Sequence, residues 1–568
     1  MKALNHIQKG EAAVLTAGLL LYGLFYEGFA GIAGIVLLAL LGLKVHKTKT
    51  LYLPKSLLLL SLLIMPAAAL LTSLWAVDSG MAVLGFVKYL PVAAWILLMA
   101  AEDEETKGTR EQLLHILPYV IAAATAFGLL AYFTPMRDYF FINGRFSGVF
   151  QYANSYALLL LIGLILLLWG SFGKLQTLTM TVVFVGGIIA TGCRAVFFLT
   201  VLSVVVWVLS GLRQKATLKK GPLLAVLAII CGSVILGLVT GDMYGFARFT
   251  RFEITSSSLS GRLLYNLDGL KILMNHPLGL GHRGYSFYQG AVQTGNYSVT
   301  FAHNDLLQVA LDFGIIMGLL VGIGYVMMIF RKDMPIQNRL ILIVCAIHGL
   351  FDWSLQFPVL LMILVLVSGW DSSLEISFRG AKHILAASAA AVSVVLAGWL
   401  GTASLAEFAG AYEAAAGIYP GMTTSQMRVI SSAETDFAKY DAAEKIAKRN
   451  DYCTIALQAM AEKSAREGNF PAMAEYGLKA AKSSKYNTSG YEIYLYFLSY
   501  AAETCNAAGD AEGTLYYLSR AAEIDDMIKT VEAETSPLAV NLYDKPEIRL
   551  ADEYMNYISQ AKSLTEGR

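Results

Sequence analysis

"SYALLLLIGLILLLWG", residues 155–170, decides the fold class. No charge and no amide interrupts it. A helix that is apolar on every side cannot face water, so it belongs inside a large core or in lipid. Working outward, the chain repeats this texture. Apolar runs lie at 11–28, 29–43, 56–74, 81–100, 113–133, 175–192, 195–210, 222–240 and 301–320, then near 340–353, 358–369 and 384–401. A bilayer core is crossed by roughly 20 apolar residues in a helix. The 568-residue chain is 56% hydrophobic and 15% charged, whereas soluble domains carry about 25% charge. The expectation is an all-α polytopic membrane bundle of about 12–13 spans. The first run lacks an Ala-x-Ala cleavage pattern and reads as a retained helix. A net charge of +1 gives no global field that would recruit nucleic acid.

Lys and Arg in short loops set orientation. Connections carrying Lys44, Lys47, Lys49 and Lys55, then Lys107 and Arg110, Lys174, Arg213 with Lys215, Lys219 and Lys220, Arg331 with Lys332 and Arg339, and Arg379 with Lys382 all fall on one side. That side reads as cytoplasmic, together with the N-terminus. The outer stretches that do carry arginine hold Arg145, Arg194 and, in a long loop at 241–302, Arg248, Arg251, Arg262 and Arg283. An odd number of spans places everything after about residue 402 outside. The expected layout is a membrane domain over 1–403 and an extracytoplasmic helical domain over 404–568, in a bacterial cytoplasmic (inner) membrane.

The tail is polar and rich in Ala and Tyr. Its segments 465–487 and 507–526 share a Gly-Asn or Gly-Asp turn followed by an amphipathic helix. They resemble tetratricopeptide-like hairpins, with turns about 41 residues apart rather than the regular 34. Such surfaces bind partners, so a protein partner is expected there. Cys453 and Cys505 lie in this tail and either pair or stay free; spacing does not decide. No cysteine spacing suits a metal.

Four polar stretches share the outer face: "RDYFFINGRFSGVFQYAN" (137–154), "ATGCRAVFF" (190–198), the segment 258–285, and "HNDLLQVALDFG" (303–314). This set resembles the O-antigen ligase/polymerase superfamily over roughly residues 10–370. The likeness rests on His303-Asn304, nine residues, then Gly314, with the second glycine displaced to Gly318. It rests also on Arg262 ahead of the turn His276-Pro277-Leu278-Gly279-Leu280-Gly281. Thr191-Gly192-Cys193-Arg194 and Arg145 with Asn154 complete it. Asn266 stands where the family often has tryptophan, and Asp312 where glutamate is more usual. The resemblance implies transfer or polymerisation of a polyprenyl-diphosphate-linked saccharide onto a glycan, lipid or wall-polymer acceptor. The implied catalytic residues are His303 and Arg262.

The chemistry of these residues fits that expectation. Guanidinium groups bind phosphate bidentately, so Arg145, Arg194 and Arg262 suit a leaving diphosphate. A neutral imidazole at a helix start suits deprotonation of an acceptor hydroxyl. Diphosphate leaves without acid or metal help. The outer carboxylates Asp242, Glu253, Asp268 and Asp305 look scattered, so no metal and no cofactor is expected. Arg251 and Arg283 read as solvated. Asn304 reads equally as a helix N-cap or as a ligand, and Gly279 and Gly281 as turn-formers. The rivals are a transporter or flippase and a polysaccharide-assembly scaffold. A transporter would need polar groups at mid-span; Lys88 reads as the main one.

Overall fold

The computed structural model describes residues 5–101, 108–213, 257–369, 373–543 and 546–566, with 223, 226 and 227. The expected span at 222–240 lies largely outside the described residues, as do Arg248, Arg251, Lys107, Lys215, Lys219, Lys220, Asp242 and Glu253.

The protein is an all-α polytopic membrane bundle. In chain order its membrane-level helices are α1 (His6–Leu20), α2 (Glu27–Thr48), α3 (Leu57–Thr72), α4 (Ser79–Ala100), α5 (Thr109–Leu130), α6 (Ala153–Trp169), α7 (Lys174–Thr191) and α8 (Arg194–Arg213). After α9 (Ser257–Asn275), α10 (Gly284–Val292) and α11 (Asp305–Phe313) come α12 (Ile315–Ile329), α13 (Ile336–Gly349), α14 (Pro358–Val367) and α15 (Ala381–Phe408). Six helices among the described residues are long and apolar enough to cross a membrane, and five shorter apolar helices accompany them. The run quoted first is α6, buried over almost its whole length. α4 is equally enclosed, whereas α15 exposes most of its surface and so sits at the lipid-facing edge. A small antiparallel ribbon, β1 (Thr50–Pro54) with a strand at Ser373–Ser377, joins the end of α2 to the approach of α15.

The stretch 301–320 is not one span. It breaks at Gly314, which sits at φ +92°, ψ 163°. The turn after His276 wedges into the break. Leu280 N–H donates to Leu311 O at 2.6 Å, Gly281 N–H to Asp312 O at 3.2 Å, and Ile315 N–H to Pro277 O at 2.9 Å. A Cβ on Gly314 would lie 2.9 Å from the Leu278 carbonyl carbon. Gly279 and Gly281 adopt φ +86° and +80°, the left-handed backbone that the turn requires. α12 then folds back beside α11, with Gly318 set against Ala310. α11 is therefore a short helix that carries His303 and Asn304 at its mouth without spanning lipid.

The tail forms paired helices: α16 (Tyr412–Ile418), α17 (Thr423–Ser432), α18 (Asp436–Ala447), α19 (Thr454–Arg466), α20 (Phe470–Ser483), α21 (Thr488–Ala507), α22 (Ala511–Ala533) and α23 (Asp552–Glu566). At the α19–α20 turn Gly468 takes φ +72° and Asn469 caps the next helix. At the α21–α22 turn Gly509 takes φ +77° and Asp510 does the same. Cys453 and Cys505 are free, buried thiols, so the pairing that spacing left open is not formed. The tail is docked. Asp78, the N-cap of α4, is fully buried; it accepts from Thr423 Oγ1 at 2.6 Å and Asn450 Nδ2 at 2.8 Å, and lies 3.5 Å from Arg449.

Candidate functional site

At the end of the bundle where α4, α6 and α8 begin, local sequence signals deliver three arginines to one place. Asn143 and Gly144, at φ +52° and +70°, form the tight turn of a hairpin pairing Phe141–Ile142 with Arg145–Phe146. Asn-Gly favours this turn because both residues tolerate positive φ. It fixes Arg145, whose Nε donates to Thr191 O at 2.8 Å and whose guanidinium donates to Asn154 Oδ1 at 2.6 Å. Thr191 ends α7, and Gly192 terminates it in the left-handed conformation. Two residues on, Arg194 opens α8. Arg262 projects from α9 and pairs with Asp352 Oδ2 at 3.3 Å.

Arg145, Arg194 and Arg262 line one cavity of about 80 Å³, together with Asn154, His348 and Asp352. Asp352 is its hub. Its Oδ1 accepts from Tyr152 Oη at 2.7 Å and from the Trp353 amide at 3.0 Å; its Oδ2 accepts from Asn154 Nδ2 at 2.7 Å. Burial works against its charge, but His348, Arg262 and His303 together hold the carboxyl below its ordinary range. His303 Nδ1 stands 3.7 Å from Asp352 Oδ1. The same carboxylate thus faces the cavity arginine on one side and the imidazole on the other.

His303 occupies φ +53°, a strained conformation for a residue with a side chain and one that gathers at functional sites. Its neighbours enforce it. Asn304 Oδ1 caps α11 by accepting from Leu307 N–H at 3.0 Å. Asp305 Oδ1 accepts from Leu355 N–H at 2.8 Å, tying the mouth of α11 to the loop that carries Asp352. Gln308 accepts from Ala302 N–H and donates to Asp312 at 2.8 Å. Burial pulls the imidazole down to about 4, opposed by Asp352 and assisted by Arg262, so the ring is neutral near pH 7.

Several sequence expectations change here. Arg283 is not solvated: its guanidinium forks onto Glu27 at 2.8 and 3.1 Å, and His282 Nε2 lies 3.2 Å from the same carboxylate. Asp268 and Asp305 are buried pins rather than scattered surface carboxylates; Asp268 accepts from Thr294 N–H, Thr294 Oγ1 and Tyr297 Oη, each at 2.8 Å. Lys88 is buried in the middle of α4. Glu11, Lys44, Asp305, Asp312 and Asp352 are buried with it. Asn304 is an N-cap, and Gly314 shapes the helix break. No group of three or more His, Cys, Asp or Glu placed to hold a metal occurs among the described residues.

Sequence reasoning passed over Asp352, which stands in "GLFDWSLQF" with no motif around it. The one available signal was an acidic residue between two apolar runs. An acid at the lip of a membrane helix needs a partner.

The fold and this cavity define a polytopic membrane protein that gathers guanidinium groups beside a strained histidine at one lip of its helices. Residues 179–322 match the family model described as O-antigen ligase. Over that segment, 144 of the 568 residues, the chain is similar to the O-antigen ligases. The matched segment contains Arg194, Arg262, His303, Asn304 and Gly314; Arg145 and Asp352 lie outside it. No curated protein and no solved structure matches the chain.

Proposed function

We propose that the chain transfers a saccharide from a polyprenyl diphosphate to an acceptor hydroxyl at the outer face of the cytoplasmic membrane. The observation that carries this reading is the convergence of Arg145, Arg194 and Arg262 on one cavity that shares Asp352 with His303. The arginines hold the donor diphosphate. The neutral His303 imidazole takes the acceptor proton as the new bond to the anomeric carbon forms. The bond from that carbon to the diphosphate oxygen breaks, and its electron pair leaves with the diphosphate, where the guanidinium groups offset the growing charge. Asp352 positions both Arg262 and His303. No metal is needed for this sequence of events, because the arginines supply the charge that a cation would otherwise bring.

The test is transfer by the purified protein in lipid, using lipid-linked oligosaccharide extracted from the producing cells. Arg262→Ala should slow transfer by the equivalent of about 3–4 kcal/mol, the scale of a lost transition-state donor. Arg262→Lys should recover only part of it, since an ammonium cannot fork onto phosphate. Excess chelator should leave the rate unchanged. Activity that vanishes in chelator and returns with Mg²⁺ would refute the mechanism.

A further inference from the structure

A second cavity, about 960 Å³, opens where the segment after Arg283 meets the docked tail. One wall is α10 and residues 293–300; the other is built from the starts of α17, α19 and α21. The walls are joined by backbone: Lys485 N–H donates to Gly290 O at 3.1 Å, and Ser536 N–H to Thr294 O at 2.8 Å. The lining is polar yet nearly uncharged. Its single ionic side chain, Arg283, is committed to Glu27. Two amide oxygens of the lining, Oε1 of Gln289 and of Gln293, have no hydrogen-bond partner although their side chains are 6% and 5% exposed. Buried amide oxygens without partners are unusual. The groups around the open space are amides and hydroxyls, among them Ser286, Asn296, Ser298, Thr300, Gln458 and Thr488. Tyr288 and Tyr452 meet edge to face across the walls, with ring centroids 4.7 Å apart.

The cleft also leads to the site already described. Thr300 in its lining is three residues before His303. Tyr297 of the lining packs on Tyr265, 4.5 Å between centroids, and Tyr265 on His303 at 5.7 Å. His303 thus stands between the neutral cleft and the arginine cavity.

We infer that this cleft, half of it made by the tail, is a saccharide-binding subsite that presents the acceptor glycan to His303. The inference rests on the proposed transfer chemistry for the word acceptor only. Amide oxygens, hydroxyls and tyrosine rings without net charge match neutral sugar hydroxyls and ring faces, not phosphate.

The experiment uses the full-length protein in detergent. The probe is a set of oligosaccharides released by partial acid hydrolysis of the producing cell's surface polysaccharide, and binding is read by saturation-transfer NMR and calorimetry. The wild-type protein should bind them. Asn296→Ala and Gln458→Ala, both on the cleft wall, should each weaken binding several-fold. Ser298→Trp, which fills the cleft from an exposed loop position, should abolish it. Inorganic diphosphate binding should be unchanged in all three, which also shows that they fold. His303→Ala should still bind the oligosaccharides at wild-type affinity. The inference is overturned if the wild-type protein binds none of them, if Ser298→Trp binds normally, or if a Ser/Thr-rich peptide pool binds in the cleft in their place. An active His303→Ala enzyme with intact cleft binding would overturn the transfer mechanism and leave the saccharide subsite standing.

Discussion

His303 concentrates the local chemistry in one side chain. Its backbone is held at positive φ, its Nδ1 is buried without a hydrogen bond, and Asp352 stands 3.7 Å away. His303→Ala is expected to lower transfer by roughly 10²–10⁴-fold, the usual weight of a general base, with normal amounts of protein in the membrane. Full activity in that variant removes the assignment. The direction of its titration gives a second expectation. Folding lowers the imidazole from 6.5 to about 4. Between those values the unfolded chain binds a proton that the folded chain does not. Stability contributed by this residue therefore rises with pH across that window and is lost as pH falls through it. In the free enzyme, the acid limb that His303 imposes on kcat/KM should lie near pH 4 rather than 6.5. Asp352→Asn should move that limb lower still, because the carboxylate is what opposes the shift. A limb unmoved by Asp352→Asn would separate the two residues.

Among elements, the break between α11 and α12 distinguishes structural from chemical roles. Gly314→Ala places a Cβ against Leu278 at φ +92° and should cost roughly 1–3 kcal/mol, seen as a lower melting temperature and less folded protein. Asn304→Ala removes a cap and should cost about 1 kcal/mol. Its transfer rate should fall far less than that of His303→Ala; an equal fall would mean Asn304 touches substrate. These elements also show what can be read from the sequence and why. The quoted run at 155–170 announces itself because apolar length needs no partner to be recognised. The Gly314 break does not, since Ile315 and Ile316 continue the hydrophobic texture and the cause is a turn some 35 residues upstream, Pro277–Gly281. Arg283 looked solvated because Glu27, which neutralises it, is 256 residues away. The Asn143-Gly144 turn that aims Arg145 was readable, being a local signal. Arg145, Arg194, Arg262 and His303 could be singled out from motif spacing, whereas Asp352 could be found only by folding.

For the whole molecule, the tail behaves as a wall of the protein rather than an appendage. Asp78→Ala leaves Arg449 and Asn450 facing an empty place in a buried junction, a loss of roughly 3–5 kcal/mol by the measure of broken buried pairs. Limited trypsin treatment of the variant should then release the tail intact, while the wild-type chain resists. Equal resistance would show that the other contacts suffice. Orientation is tested separately. Phe437→Cys, on an exposed tail position, should react with an impermeant maleimide on intact cells, and Tyr52→Cys, in β1, only after permeabilisation. The reverse pattern would invert the proposed topology.

The Asp78 junction also bears on how the molecule is made. Thr423 leaves the ribosome 345 residues after Asp78, and Asn450 372 residues after it. At about 5–20 residues per second that is an interval of roughly 20–75 s. Throughout it the carboxylate that caps α4 has none of its three tail partners, and the wall opposite α10 does not exist. The membrane helices can insert in order, but this end of the bundle closes only after residue 450 has been synthesised. A nascent protein stalled or clipped before residue 423 would carry the His303 and arginine residues on an unfinished surface, open to proteolysis at the loops that the tail would have covered. Synthesis through residue 450 and closure of this junction are thereby linked.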